Sequence, residues 1–380
     1  ITMKNHMKTI LFTAAFSLLL AGGISVQADA QVAINDDNFS WAVKEYAVEA
    51  DDNGDGYLSE KEAAGVTTVR FDSRQNIDSF RGIEYFTNLK DFFYRTNIAS
   101  AGNDDEIWSY EDSTASELDL SGMKKLERVR IICHNSYLRS VDLGDCPKLE
   151  YVYIRGRECV DSLNLRGCTG LETLECSSLT VEKLNLSKLK KLETVTLYLH
   201  GGKLQKLNLK KCSGLKTLLV ISDTVKEVKL KEAKKLENIR LAASSLETLD
   251  LSTNTGLKVL DCSAAQLSSL DVRNNKKLEK IDCNGNLRLT ELKVKGCTKL
   301  KNIRCYNTAL TKLNVKKNPN LKKLYCDQTG ISTLNLKNNR KLKTLVCTKT
   351  NIQNLDLSNT KIRDASGLQC DEGVSVIYAD

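Results

Sequence analysis

The stretch LKTLVCTKTNIQNLDL at residues 342–357 decides the fold. Leu342, Leu345 and Cys347 open it with the spacing L-x-x-L-x-C, and Ile352, Leu355 and Leu357 repeat that spacing ten residues later. Apolar and polar residues alternate through each half, the period of a strand with one face buried. Lys, Thr and Asn separate the halves, as a turn requires, and no room is left for a helix.

Working outward, the same opening recurs at Leu126, Leu149, Leu171, Leu192, Leu215 and Leu236, and again at Leu257, Leu278, Leu300, Leu321 and Leu342. The period is 21 to 23 residues. The second half recurs in Leu267-Leu270-Val272, Leu289-Leu292-Val294 and Leu310-Leu313-Val315. A coil of two short strands and two turns cannot bury its apolar edge alone, so successive coils must stack on a shared core with parallel pairing. At roughly 4.8 Å per strand, eleven coils extend the array by about 50 Å.

These repeats resemble the 21-residue bacterial leucine-rich-repeat class called IRREKO, whose L-x-x-L-x-[LC]-x-x-N-x-L-x-x-L-D-L is matched from Leu342 to Leu357, with Thr350 at the Asn position and Asn351 beside it. The looser units around Val181, Leu199 to Gly202 and Val225 depart from it. The segment from Asn38 to Lys90 is similar to the caps of secreted bacterial proteins carrying such repeats. The expected fold is therefore a mostly β leucine-rich-repeat solenoid, two short strands per coil, with a small α-helical EF-hand-like N-terminal cap. The expected organisation is a signal peptide at 1–30, the cap at 31–88, the solenoid at 89–357 and a C-terminal cap at 358–380. Between Arg95 and Glu117 an acidic excess with Trp108 and Tyr110 reads as an inserted loop.

Lys4 and Lys8, an apolar run from Ile10 to Ala21 and the small residues ending at Ala30 have the three-part pattern of a cleaved export signal. The run is too short to span a bilayer. No cysteine follows it to take a lipid, so a secreted or surface location is expected, without membrane insertion.

The formal net charge of +8 is unevenly spread. Asp36 to Glu62 carries nine acids against Lys44 and Lys61, whereas Leu257 to Leu345 carries twenty Lys and Arg against six acids. The basic end could attract an anionic glycan or polymer. Nucleic acid is disfavoured by the export signal and the lack of a recognised nucleic-acid module.

Thirteen cysteines in an exported chain would ordinarily mean disulfides. Here Cys176, Cys262, Cys283, Cys305, Cys326 and Cys347 each stand five residues after an opening Leu, where other coils have Ile131, Ile154, Leu197, Val220 or Leu241. Cys146, Cys168, Cys212 and Cys297 form a second column three residues before the next opening Leu. Both columns read as small buried thiols replacing aliphatic side chains, mostly reduced.

The sharpest local motif is Asp51-Asp-Asn53-Gly-Asp55-Gly56-Tyr57-Leu58-Ser59-Glu-Lys-Glu62, which fits every position of a twelve-residue calcium loop. Asp51, Asn53 and Asp55 would ligate through side chains, Tyr57 through its carbonyl, Ser59 directly or through water, and Glu62 with both oxygens. Phe39, Ala42, Val43, Tyr46 and Ala47 have helical spacing before the loop, and Ser59 with Glu62 forms a capping box after it. The expectation is one structural calcium ion.

Positions two and four after each opening Leu project outward from the first strand. Phe93, Arg128, Arg130, Tyr151 and Tyr153 fall there, with Arg95 and Arg155 just beyond, and Tyr and Arg are the residues that most often carry binding energy. These seven are the candidate protein-binding patch. An Asp/Asn column on the second strands, Asp119 and Asp142 among them, reads as turn chemistry. The only histidines beyond the signal are His134 and His200, and neither belongs to a catalytic or zinc spacing. The reading is a non-enzymatic recognition protein, expected to be a monomer, with a protein ligand expected and the anionic polymer as the alternative.

Overall fold

The computed structural model describes residues 31–378 except 33, 35–38, 40–42, 44–50, 55–56, 72–76, 97–112, 134–136, 157–159, 178 and 200. The signal segment, Asp55, Trp108, Tyr110, His134 and His200 thus lie outside the described residues.

One parallel sheet of fourteen strands runs through the molecule, from Thr68–Phe71 and Asp91–Arg95 to Leu368–Gln369. Its register follows the repeat. Val129, Val152, Leu174 and Val195, each three residues after an opening Leu, pair in one unbroken row. All eleven opening leucines are fully buried. Three strands lie beyond those eleven coils: Thr68–Phe71 and Asp91–Arg95 begin two residues after Val66 and Leu89, and Leu368, paired with Leu345, follows Ala365 by three residues as Leu345 follows Leu342.

The second half-repeats form shorter sheets of two or three parallel strands, such as Glu117–Asp119, Ser140–Asp142 and Ser162–Asn164. Three coils differ from the expected pair of strands, the one around Thr248 making only an isolated bridge to Glu227. The segments around Leu313 and Leu334 are buried but not strand-paired.

Strand length changes along the array for a backbone reason. Thr194–Leu199, Thr217–Ser222 and Asn238–Ala243 run six residues, whereas Lys280–Asp282, Lys323–Tyr325 and Thr344–Val346 run three. In the C-terminal coils the chain turns seven residues after the opening Leu, where Ala264, Asn307, Gln328 and Lys349 have φ of 53°, 53°, 53° and 54°. A left-handed non-glycine residue costs roughly 1–2 kcal/mol. Each of these turns recovers a hydrogen bond to the next coil, as Gln328 N to Thr348 O at 2.9 Å. At the last of them, Lys349, the following coil supplies a side chain in place of a carbonyl: the Asp371 carboxylate accepts Lys349 N at 2.8 Å and Thr350 N at 3.2 Å.

The twelve described cysteines are all buried except the half-buried Cys370, and those of the ladder from Cys262 to Cys347 are free thiols. Cys370 extends the ladder of Cys262 to Cys347 by one coil. Burial pushes the Cys305 and Cys347 thiols up to about 12. At the other end the same column holds Phe71 and Tyr94, which join Phe39, Phe80 and Phe92 in a mostly edge-to-face cluster, with Phe86 stacked on Phe39, that closes the core. Among the described residues one α-helix spans Glu60–Gly65. Phe39 and Val43, before the loop, are helical and buried.

Candidate functional site

Parallel register assembles the Tyr/Arg patch. Asp91, Arg128 and Tyr151 form one row, Phe93, Arg130 and Tyr153 the next, and Arg95, Ile132 and Arg155 a third. All seven candidate residues therefore stand on three adjacent strands.

Their exposure is unequal. Phe93 is only 8% exposed, because the Arg70 guanidinium lies 4.7 Å from its ring centre and that of Arg130 lies 5.1 Å away. Asp91 holds the arginines from below: Arg128 Nε is 3.1 Å from its Oδ2 and Arg130 Nη2 is 3.5 Å from its Oδ1. The Nε atoms of Arg95 and Arg130 are buried without a hydrogen-bond partner. Tyr151 and Tyr153 lie parallel with ring centres 6.5 Å apart. Burial, then Glu175 and Tyr153, raises the Tyr151 hydroxyl above its ordinary value, against the pull of Arg130. Phe93 is thus the floor of the patch, and the outward groups are two arginines and two tyrosines already held in place.

Asp91 and Arg70 escaped the sequence reading. Asp91 stands two residues after Leu89, the same offset as Arg128 and Tyr151, so the column itself was the available signal.

In the loop, Glu62 folds back over the segment it closes. Its Oε1 accepts Asp52 N at 3.0 Å and its Oε2 accepts Ser59 N at 2.7 Å, while Ser59 Oγ accepts Glu62 N at 3.2 Å, completing the capping box. Those bonds to Ser59 hold the Glu62 carboxyl below the usual carboxylate range. Asp51 Oδ1 accepts Gly54 N at 2.8 Å, and Gly54 takes φ 70° at the bend. Tyr57 is exposed. Asp55 lies outside the described residues, and among those described no three acidic, His or Cys side chains converge on one point. The donors present are hard oxygens with a carboxylate at each end of the loop, a chemistry that fits calcium.

The second-strand column is turn chemistry. Asp119, Asp142, Asn164, Asp271 and Asp356 each accept the backbone N–H two residues on. Lys322 and Lys323 in the basic coils are exposed. Cys133 is fully buried and its sequence neighbour His134 is outside the described residues. No helix among the described residues is long and apolar enough to cross a membrane.

No protein-family model and no curated protein matches the sequence. Solved structures do. The leucine-rich repeat domain of APL1B is similar with a TM-score of 0.51 at 16% identity, over 77% of this chain and 89% of that one. The chain has the leucine-rich-repeat fold. The functional domain of InlJ from Listeria monocytogenes, described as including a cysteine ladder, is similar at 23% identity and a TM-score of 0.45, over 80% of this chain and 72% of that one. The LRR protein LIC12759 from Leptospira interrogans is similar at 17% identity and a TM-score of 0.44, over 84% and 81%.

Proposed function

We propose that this leucine-rich-repeat chain is an exported, non-enzymatic recognition protein that binds a protein partner through the N-terminal end of its main sheet, with one calcium ion stiffening the cap. The observation that carries the reading is the patch of Arg128, Arg130, Tyr151 and Tyr153. Asp91 and Phe93 fix the arginines before any partner arrives. Preorganised Arg and Tyr lose little entropy on binding, which is what makes such residues dominate interfaces. Export rests on the three-part N-terminal pattern, and calcium on the loop from Asp51 to Glu62.

The experiment is a comparison of two double variants in binding to surface-protein extracts. Arg130→Ala with Tyr153→Ala abolishes retention of the partner, while Lys322→Ala with Lys323→Ala leaves it. The opposite pattern, with retention on a sulfated matrix, would replace this reading by binding of an anionic polymer through the basic coils.

A further inference from the structure

One column of the main sheet has a charge order that the recognition reading does not use. It comprises the residues immediately after the ten opening leucines from Leu149 to Leu342, and Glu127, after Leu126, precedes them. From Glu172 to Lys343 each donates its backbone N–H to the carbonyl of the column member in the coil before, at 2.7 to 2.9 Å, so the column is continuous in register. At roughly 4.8 Å per strand it covers about 43 Å from Glu150.

Its first coils carry Glu150, Glu172 and Glu193, and its last carry Lys301, Lys322 and Lys343. Between them the order alternates: Lys216, Glu237, Lys258, Glu279. The middle members pair within the chain, Lys216 with Glu193 at 2.7 Å, Lys258 with Glu237 at 2.8 Å and Lys301 with Glu279 at 2.7 Å. The outer members Glu150, Glu172, Lys322 and Lys343 are exposed and make no ion pair among the described residues.

Turned end over end, this order becomes its own complement. A twofold axis between Glu237 and Lys258 sets Glu150 opposite the partner's Lys343, Glu172 opposite the partner's Lys322 and Glu193 opposite the partner's Lys301. It also sets Lys216 opposite the partner's Glu279 and Glu237 opposite the partner's Lys258. All ten positions meet an opposite charge. A slip of one coil in either direction breaks this, bringing Lys216 against the partner's Lys258 or the partner's Lys301. A parallel arrangement matches every charge with its like. Both copies have the same rise per coil, so a match made at one coil carries to the next.

We propose that two copies of this chain associate antiparallel along this column, in place of the monomer expected from sequence. The occupant is a second copy because the complement of the column is the column itself, the condition for an isologous interface. Turn lysines such as Lys148, Lys191, Lys299 and Lys341 lie beside the column and face their like across the axis. The association is therefore weak and set by the balance between ladder and flank.

Sedimentation velocity of the whole chain tests it, at about 0.1 M salt, where charges reach roughly 10 Å, and about 1 M, where they reach roughly 3 Å. The wild type is expected to form a dimer at low salt and dissociate at high salt. Glu150→Lys with Glu172→Lys gives lysine at both ends, and Lys322→Glu with Lys343→Glu gives glutamate at both. Each variant alone is expected to self-associate at least about tenfold more weakly. An equimolar mixture of the two is expected to form a heterodimer. Melting temperatures close to wild type show that the exposed changes leave the fold intact. A wild type that stays monomeric, association that strengthens with salt, or a mixture that stays monomeric would each overturn the proposal. So would a monomer whose Lys322 and Lys343 serve only to retain it on a sulfated matrix.

Discussion

Asn275 donates its side-chain amide to the backbone carbonyl of Asn254, in the coil before, at 2.8 Å, and to that of Leu251 at 3.1 Å. Asn254 does the same to Ala233 and Leu230, and Asn339 to Asn318 and Val315. The four asparagines of this ladder are fully buried, and each leaves its amide oxygen without a donor. Cys297 stands in the same column and donates its thiol to Val272 O at 3.0 Å, as Cys146, Cys168 and Cys212 do in theirs. Asparagine and cysteine are two answers to one requirement, a small buried donor to the turn carbonyl of the preceding coil.

Asn275→Ala removes two buried hydrogen bonds, each worth about 0.5–1.5 kcal/mol, while the Leu251 and Asn254 carbonyls keep their backbone donors, Asn254 N and Leu257 N. A net loss of about 2 kcal/mol is expected, read from urea unfolding. Asn275→Cys, which keeps one donor, is expected to lose less. Equal losses for the two would show that volume, not the hydrogen bond, governs the column.

The ladder thiols should be unreactive while the chain is folded. A thiol reagent is expected to label Cys370 at once and Cys283, Cys305 and Cys326 only on unfolding, read by mass spectrometry of peptides. Rapid labelling of Cys305 in the native chain would contradict its burial.

Alkaline pH tests the same ladder. The folded Cys305 thiol is raised from 9.0 to about 12, so the unfolded chain releases its proton first. Its contribution to stability is full below about pH 9 and falls as pH rises toward 12. The melting temperature is expected to drop over that window, and less steeply in Cys305→Val. Identical slopes would remove the thiol from the explanation.

Calcium binding by the loop predicts a rise in melting temperature worth about 1.4 kcal/mol at ten times the dissociation constant. Glu62→Gln can still accept the Ser59 N–H and keep the capping box. It is expected to abolish the calcium response with little effect on the metal-free melting point. No response in the wild type would exclude the ion.

The array was legible because its signal is repeated. Leu126 to Leu342 each announce the next strand, and the cysteine column follows from their spacing. Val66 and Ala365 hide the terminal coils, since neither is the leucine that defines the period. Asn254 and Asn275 read as turn residues; their burial comes from the stacking of the next coil, which no local pattern displays. Asp91 is far in sequence from the arginines it holds, and only register brings them together. The column that begins at Glu150 is visible as letters, but its meaning depends on every member facing the same way.

The central claim is that a protein partner meets the sheet at its N-terminal end. A photo-crosslinking side chain placed at Tyr153, and separately at Tyr325 in the same column near the other end, reads this directly. The account predicts a discrete protein adduct at position 153 that excess unlabelled chain competes away, with none at position 325. Adducts confined to position 325, or none at 153 in a chain still retained on a sulfated matrix, would contradict it.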